Sequence, residues 1–218
     1  VSPYRTWSAT SLPLAEIKAV AKSQGATLND AVMAICAAGL RRYLLRKGAL
    51  PAQPLRCGVP VSLRDPGDVS MRNQVTMLVA SLATDAADPL ARLQMIKASM
   101  QIGKGVVVDS GPLQLEDLHV PGLSAVIATA TLFAERLRLA DFVAPMVNVV
   151  ISNVRGPART MYLHGAKMCS HFPVSIPAHS VALNLTVQTY VDRIGLGVTA
   201  CLEAVPDAAA LRDDIVAG

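Results

Sequence analysis

Apolar positions recur along this chain at two spacings, one helical and one alternating, and the switches between them mark out the elements. Residues 12–24 place Leu14, Ile17 and Val20 one turn apart, after Ser11 and before Gly25, which predicts a short amphipathic helix. A second helix follows almost at once. Thr27-Leu28-Asn29-Asp30 leads into an Ala-rich stretch over 31–47 whose only early charge is Asp30, while Arg41, Arg42, Arg46 and Lys47 gather at its C-terminal end. That polarity suits the helix dipole. Residues 55–63 and 74–84 read as strands, the second alternating through Val75, Met77, Val79 and Ser81. Asp88 and Pro89 then supply an N-cap and a first helical position for a helix striped by Leu90, Leu93, Ile96 and Met100, with a glycine-bearing loop around Gly103 and Gly105 behind it. Residues 121–139 predict another helix, apolar until Glu135 and therefore buried. In the last third, 145–152, 161–169, 181–191 and 194–202 read as strands, the last two joined in a hairpin at Asp192-Arg193, and 208–216 as a final helix after Pro206-Asp207. Helices interspersed with strands give an α/β fold class, one mixed sheet with helices packed on a face.

Composition narrows the function classes. Of 218 residues only 17% are charged and 52% are hydrophobic, which excludes a disordered chain. Twenty Lys+Arg against 16 Asp+Glu leave a formal charge of +4, mildly basic and not a nucleic-acid footprint. A mean hydropathy of +0.40 with 4% aromatics points to an aliphatic interior plus apolar surface facing a partner, a lipid or a missing part of the same protein. The longest low-charge stretches, 118–134 and 168–191, are interrupted by Pro121-Gly122 and by Pro173, Pro177 and His179, so neither reads as a membrane span. Residues 1–11 start at Val1 without the features of a secretion signal and read as a linker remnant, with the domain over 12–218. Cys36, Cys57, Cys169 and Cys201 are scattered without a Cys-x-x-Cys spacing and read as reduced, buried and cytosolic.

Chemistry is harder to place. The sequence contains no G-x-S-x-G elbow, no P-loop, no dinucleotide-binding glycine motif and no His pair at metal-ligand spacing. His119, His164, His171 and His179 stand apart from one another and nominate no general base. Thr27 with Asp30 three residues on approximates a capping box, which accounts for those two residues but leaves Asn29 unassigned. Arg64, after a strand, either binds an anionic group or pairs with Asp65 or Asp68. Ser152 and Asn153 emerge where an apolar strand ends, as site residues or as ordinary turn chemistry.

The run Asn148-Val149-Val150-Ile151-Ser152-Asn153-Val154-Arg155-Gly156-Pro157 resembles a signature of the bacterial wax ester synthase/diacylglycerol acyltransferase family, and Thr27-Leu28-Asn29-Asp30 resembles that family's Asn-Asp motif. Three further stretches match in order: Val59-Pro60-Val61-Ser62-Leu63-Arg64, Asp88-Pro89-Leu90-Ala91-Arg92-Leu93, and Leu183-Asn184-Leu185-Thr186-Val187 through Val205-Pro206-Asp207. The likeness runs from about Leu12 to the end and covers only the C-terminal half of such an enzyme. Arg155 stands where the family usually has proline and Arg72 where it usually has glycine, either contacts for coenzyme A phosphates or surface substitutions. The family's catalytic His-His-x-x-x-Asp-Gly motif does not occur in this sequence.

The resemblance implies one half of a chloramphenicol-acetyltransferase-like two-domain fold with a tunnel between the halves. It implies direct attack of an acceptor hydroxyl on the thioester of a fatty acyl-CoA, with no covalent acyl-enzyme and no cofactor, acyl-CoA being a substrate. The acceptor would be diacylglycerol or a long-chain alcohol, and the partner the missing N-terminal half. The location implied is cytoplasmic, peripherally associated with membrane or lipid bodies. Asn29 and Asp30 would face the site or brace its floor, with Arg64, Asn73, Ser152 and Asn153 as further candidates, and the chain alone would be inactive. Two other readings stay open: a non-catalytic module that binds lipid or acyl chains, and a condensation-type half serving carrier-protein substrates.

Overall fold

A computed structural model describes residues 2–62, 75–110, 146–177 and 181–218. The elements in chain order are β1 (Arg5–Pro13), α1 (Leu14–Ser23), α2 (Leu28–Arg46), β2 (Arg56–Ser62), β3 (Val75–Ser81) and α3 (Pro89–Ser110). They continue with β4 (Val149–Val154), β5 (Tyr162–Leu163), β6 (Ala166–Lys167), β7 (Leu183–Tyr190), β8 (Arg193–Cys201) and α4 (Ala208–Val216). Six strands form one sheet in the order β1-β8-β7-β4-β2-β3. The central strands β2, β4 and β7 run parallel, while β3, β8 and β1 pair antiparallel around them. The mixed α/β sheet with helices on a face is the architecture expected from the sequence.

Alternation decides which face is the core. On β8, Ile194, Leu196, Val198 and Ala200 are buried against the helices, with their counterparts Leu183, Leu185 and Val187 on β7 and Val149 and Ile151 on β4. The helices close over them with Met33 of α2, Ile96 of α3 and Leu211 of α4, each less than 2% exposed. Gly39 of α2 sits so close to α4 that a Cβ there would lie 2.6 Å from the Ile215 Cα, so the two helices cross almost backbone to backbone. Their ends are tied by a hydrogen bond from the Tyr43 hydroxyl to Asp207 and by ion pairs Arg46–Asp214 (2.7 Å) and Lys47–Asp207 (2.9 Å).

The other face of β8 carries Gly195 and Gly197. A Cβ on either would overlap a main-chain carbonyl, of His171 and Pro173 respectively, so bare backbone here lets the 168–177 segment lie flat as a strap across the sheet. Polar side chains pin it. Asn184 donates to the Ile176 carbonyl (3.1 Å), Thr186 shares a 2.8 Å hydrogen bond with Ser175, and the Tyr190 hydroxyl donates to the Met168 carbonyl (2.7 Å). The strap turns Pro173 and Pro177 inward and leaves Phe172, Val174 and Ile176 exposed.

Several expectations are corrected. Residues 5–11, read as linker, are most of β1, which pairs with β8 over nine register positions; the alternation of small polar residues there hid an edge strand. Leu12 and Pro13 end that strand, so α1 starts two residues later than the apolar spacing suggests. The loop expected around Gly103 and Gly105 is the continuation of α3, because Gly103 lets that helix press against Leu78 of β3. Residues 161–169 are a two-stranded hairpin, β5 and β6, turning at His164 (φ 48°) and Gly165 (φ 83°). Cys36, Cys57 and Cys201 are buried, but Cys169 is exposed. Burial pushes the Cys36 and Cys57 thiols up to about 12, so both stay protonated at neutral pH. The helix expected over 121–139 lies outside the described residues.

Candidate functional site

Three parallel strands end on one edge of the sheet, β2 at Ser62, β4 at Val154 and β7 at Tyr190. In open α/β sheets the crevice beyond such carboxyl ends is where ligands bind. The N-terminus of α2 comes to this edge. Its capping box is complete: the Thr27 hydroxyl accepts from the Asp30 amide (3.2 Å), and the Asp30 carboxylate accepts from the Thr27 amide and hydroxyl, both at 2.8 Å. Asp30 is 4% exposed and its hydrogen bonds run back into its own helix start. The capping role read for Asp30 from the sequence is present in this geometry.

Asn29, between those two residues, is not used by the cap. Its side-chain carbonyl accepts from the Asn153 amide at 3.4 Å, joining α2 to the end of β4 across 124 residues of sequence. At that distance the contact is long for a hydrogen bond. The Asn29 amide and the Asn153 carbonyl have no other partner among the described residues, which leaves one donor and one acceptor side by side for a ligand. Asn153 reaches Asn29 because it follows Val149 and Ile151 on the helix-facing side of β4. Ser152 is on the opposite side, opposite Thr186 of β7 in the parallel ladder, and so belongs to the strap face rather than to the Asn29–Asn153 pair.

Behind Asn153 the chain turns tightly. A Cβ at Gly156 would overlap the Thr189 carbonyl, and the Gly156 amide donates to the Thr189 hydroxyl at 3.0 Å, so the Gly-Pro step folds β4's exit onto the end of β7. Arg155 at that step is exposed. Arg64, Asn73 and Arg72 lie outside the described residues, as do His119 and His179. His164 sits in the β5–β6 turn and His171 in the strap, where its Nδ1 is buried without a partner. The buried Asn184 and Thr186, bonded to each other at 2.8 Å, are polar residues that sequence reasoning gave no role; the signal was their alternation with Leu183, Leu185 and Val187.

The described residues contain no cluster of three metal-ligating side chains and no helix long and apolar enough to cross a membrane. Residues 71–218 match the family described as WS/DGAT C-terminal domain. The O-acyltransferase WSD of Acinetobacter baylyi is 37% identical over 209 residues, covering 94% of this chain and 43% of that protein. A putative diacylglycerol O-acyltransferase of Mycobacterium tuberculosis is 36% identical over 218 residues, covering 97% and 42%. The solved wax ester synthase/diacylglycerol acyltransferase of Marinobacter aquaeolei VT8 superposes with a TM-score of 0.73 at 33% identity, covering 98% of this chain and 47% of that one. A nonribosomal peptide synthetase at 16% identity and a TM-score of 0.63 shares the fold alone. The chain spans less than half the length of the relatives it matches. With a C-terminal-domain match over its last two thirds and the Asn-Asp and Ser-Asn-x-x-Gly-Pro stretches meeting at one sheet edge, the chain belongs to the wax ester synthase/diacylglycerol acyltransferase family.

Proposed function

We propose that this chain is the C-terminal half of an O-acyltransferase that moves a fatty acyl group from acyl-CoA to diacylglycerol or a long-chain alcohol. The observation that carries the reading is the Asn29–Asn153 contact, which brings the two family stretches together with unused amide groups at the ligand edge of the sheet. In the reaction the acceptor oxygen bonds to the acyl carbon as the carbon–sulfur bond breaks, and the hydroxyl proton ends on the departing coenzyme A thiol. The general base belongs to the His-His-x-x-x-Asp-Gly motif of the other half, and such a base is worth roughly 10²–10⁴-fold in rate.

This half contributes binding surface. On the strap side of the sheet Val75 and Met77 are half exposed, an apolar wall suited to an acyl chain. Burial there is worth roughly 0.8 kcal/mol per methylene, so long chains are held without many polar contacts. Asn29 and Asn153 orient a polar part of a substrate at the strand ends, and Thr27 and Asp30 fix the helix that carries Asn29. Substrates of this kind arrive from a lipid surface, which makes the protein cytoplasmic and peripherally attached to membrane or lipid bodies.

The test is thiol release from acyl-CoA by the complete enzyme, with diacylglycerol and with a long-chain alcohol as acceptor. Asn29→Ala is expected to lower kcat/KM at least tenfold with the melting temperature nearly unchanged. Thr27→Ala should do the reverse, costing about 1 kcal/mol of stability through the lost cap with activity retained in the folded fraction. Consumption of carrier-protein-bound acyl groups and not of free acyl-CoA would replace this reading with a condensation-type one.

A further inference from the structure

The outer side of the helix layer carries a groove that acyl transfer at the sheet edge does not use. Ala31, Ala34 and Ala38 of α2 form its floor, and α1, the first turn of α3 and the end of α4 form its walls. Its volume, about 370 Å³, falls in the range of small-molecule sites, roughly 300–1,000 Å³. Val20, Leu90 and Val216 on the rim are 53%, 51% and 52% exposed, one aliphatic from each bordering helix. Such a lining is suited to hydrocarbon, because every methylene moved from water onto it is favourable.

Set into this apolar wall is Arg92, only 5% exposed. Its Nη1 donates to the Ala86 carbonyl at 2.9 Å, but its Nε is buried with no partner. It forms no ion pair among the described residues. Asp88, one turn earlier, already accepts from the Ala91 amide at 2.7 Å, and Glu16, the single acid of the lining among the described residues, is exposed on α1. Arg41, held by the Thr84 and Asp85 carbonyls, adds a second positive charge close by. Desolvation first, and Arg41 second, lower the Arg92 pKa, so the cation is kept in an environment that disfavours it. A buried cation with an unmet donor is the costly arrangement that an anion relieves.

We propose that this groove binds a long-chain fatty acid, its carboxylate on Arg92 and its chain along the alanine floor of α2. The site is separate from the sheet edge, and the inference does not depend on which substrates the enzyme joins. A carboxylate fits better than an alcohol because only the anion compensates the guanidinium. It fits better than a bulky phosphate head because Arg92 is nearly closed off from solvent.

The test is binding of palmitate, and of the alcohol of the same chain length, to the purified complete protein, with a photoreactive palmitate to locate the site. Expected are palmitate crosslinks within residues 28–46 and 89–105, and palmitate binding at least tenfold tighter than that of the alcohol. Ala34→Phe fills the floor without touching Arg92; it should abolish those crosslinks while thiol release from acyl-CoA stays at the wild-type rate. Arg92→Met should bring palmitate binding down to the level of the alcohol. Crosslinks that survive Ala34→Phe, or equal binding of acid and alcohol to the wild type, would overturn the proposal, and both readouts hold even if Arg92→Met does not fold.

Discussion

At Val191 the backbone takes φ 54°, a conformation that a β-branched side chain adopts only under strain, and it does so to turn β7 into β8. The turn is held by the Val191 amide bonding to the Pro157 carbonyl at 3.0 Å, which asks nothing of the side chain. Val191→Asn keeps that bond and suits the left-handed region, so it should raise stability by about 1 kcal/mol, read as a higher midpoint in urea. The Tyr43 hydroxyl and then Lys47 hold the Asp207 carboxyl below the usual carboxylate range, while burial and Asp207 push the Tyr43 hydroxyl up to about 12. A depressed carboxylate stabilises the fold above its unfolded pKa and loses that contribution as pH falls through its folded one. A raised phenol stabilises below its unfolded pKa and loses that contribution as pH rises through its folded value. The stability gap between wild type and Tyr43→Phe should therefore be widest from about pH 5 to pH 9 and narrow on the acid side as Asp207 protonates.

Two glycines of α3, two residues apart, meet opposite surroundings. At Gly103 an added Cβ would meet Leu78 side-chain carbons at 2.8, 2.9 and 3.2 Å, and Leu78 is 1% exposed with little room to give. At Gly105 it would meet nothing within 4 Å. Gly105→Ala should thus stabilise by about 0.5–1 kcal/mol through helix propensity. Gly103→Ala should destabilise by about 1–3 kcal/mol through overpacking, and thermal melts of the two variants should move in opposite directions. The same pair marks where local sequence stops determining structure. Local propensity breaks the helix here, and only the approach of β3, remote in sequence, explains why it continues. Elements with strong periodicity or turn chemistry, such as α2, α3's start at Asp88-Pro89, the β7–β8 hairpin and α4, are readable from the residues alone. β1 is not, because Arg5–Pro13 has no apolar alternation and gains its structure from pairing with β8. The β5–β6 turn is hidden for a different reason, since His164-Gly165 lacks the usual Asn-Gly signal. At the candidate site, the Thr27–Asp30 cap was readable from spacing, while the Asn29–Asn153 contact is a tertiary fact no spacing encodes.

For the molecule as a whole, the two sides of the sheet are unequal. Among the described residues the helix side carries four helices, whereas the strap on the other side presents Phe172, Val174 and Ile176 at 37%, 66% and 83% exposure, with Leu163 at 74% on the β5–β6 hairpin. No acidic residue occurs from 142 to 191, so nothing in that stretch offsets Arg155, Arg159 and Lys167. Apolar side chains of this size, gathered on one side, are what a domain shows when a partner surface is missing. If the chain is half of an acyltransferase, this side should make it self-associate when purified alone. Val174→Ser with Ile176→Ser should then shift the isolated chain toward a monomer in sedimentation, with the helix side and its melting transition little affected. The same pair should impair the complete enzyme, because the surface that aggregates in isolation is the one that would meet the other half. A chain that is monomeric without substitution, and an enzyme indifferent to the pair, would instead describe a domain that needs no partner on this side. The reading as a free-standing lipid-binding module would then be the stronger one.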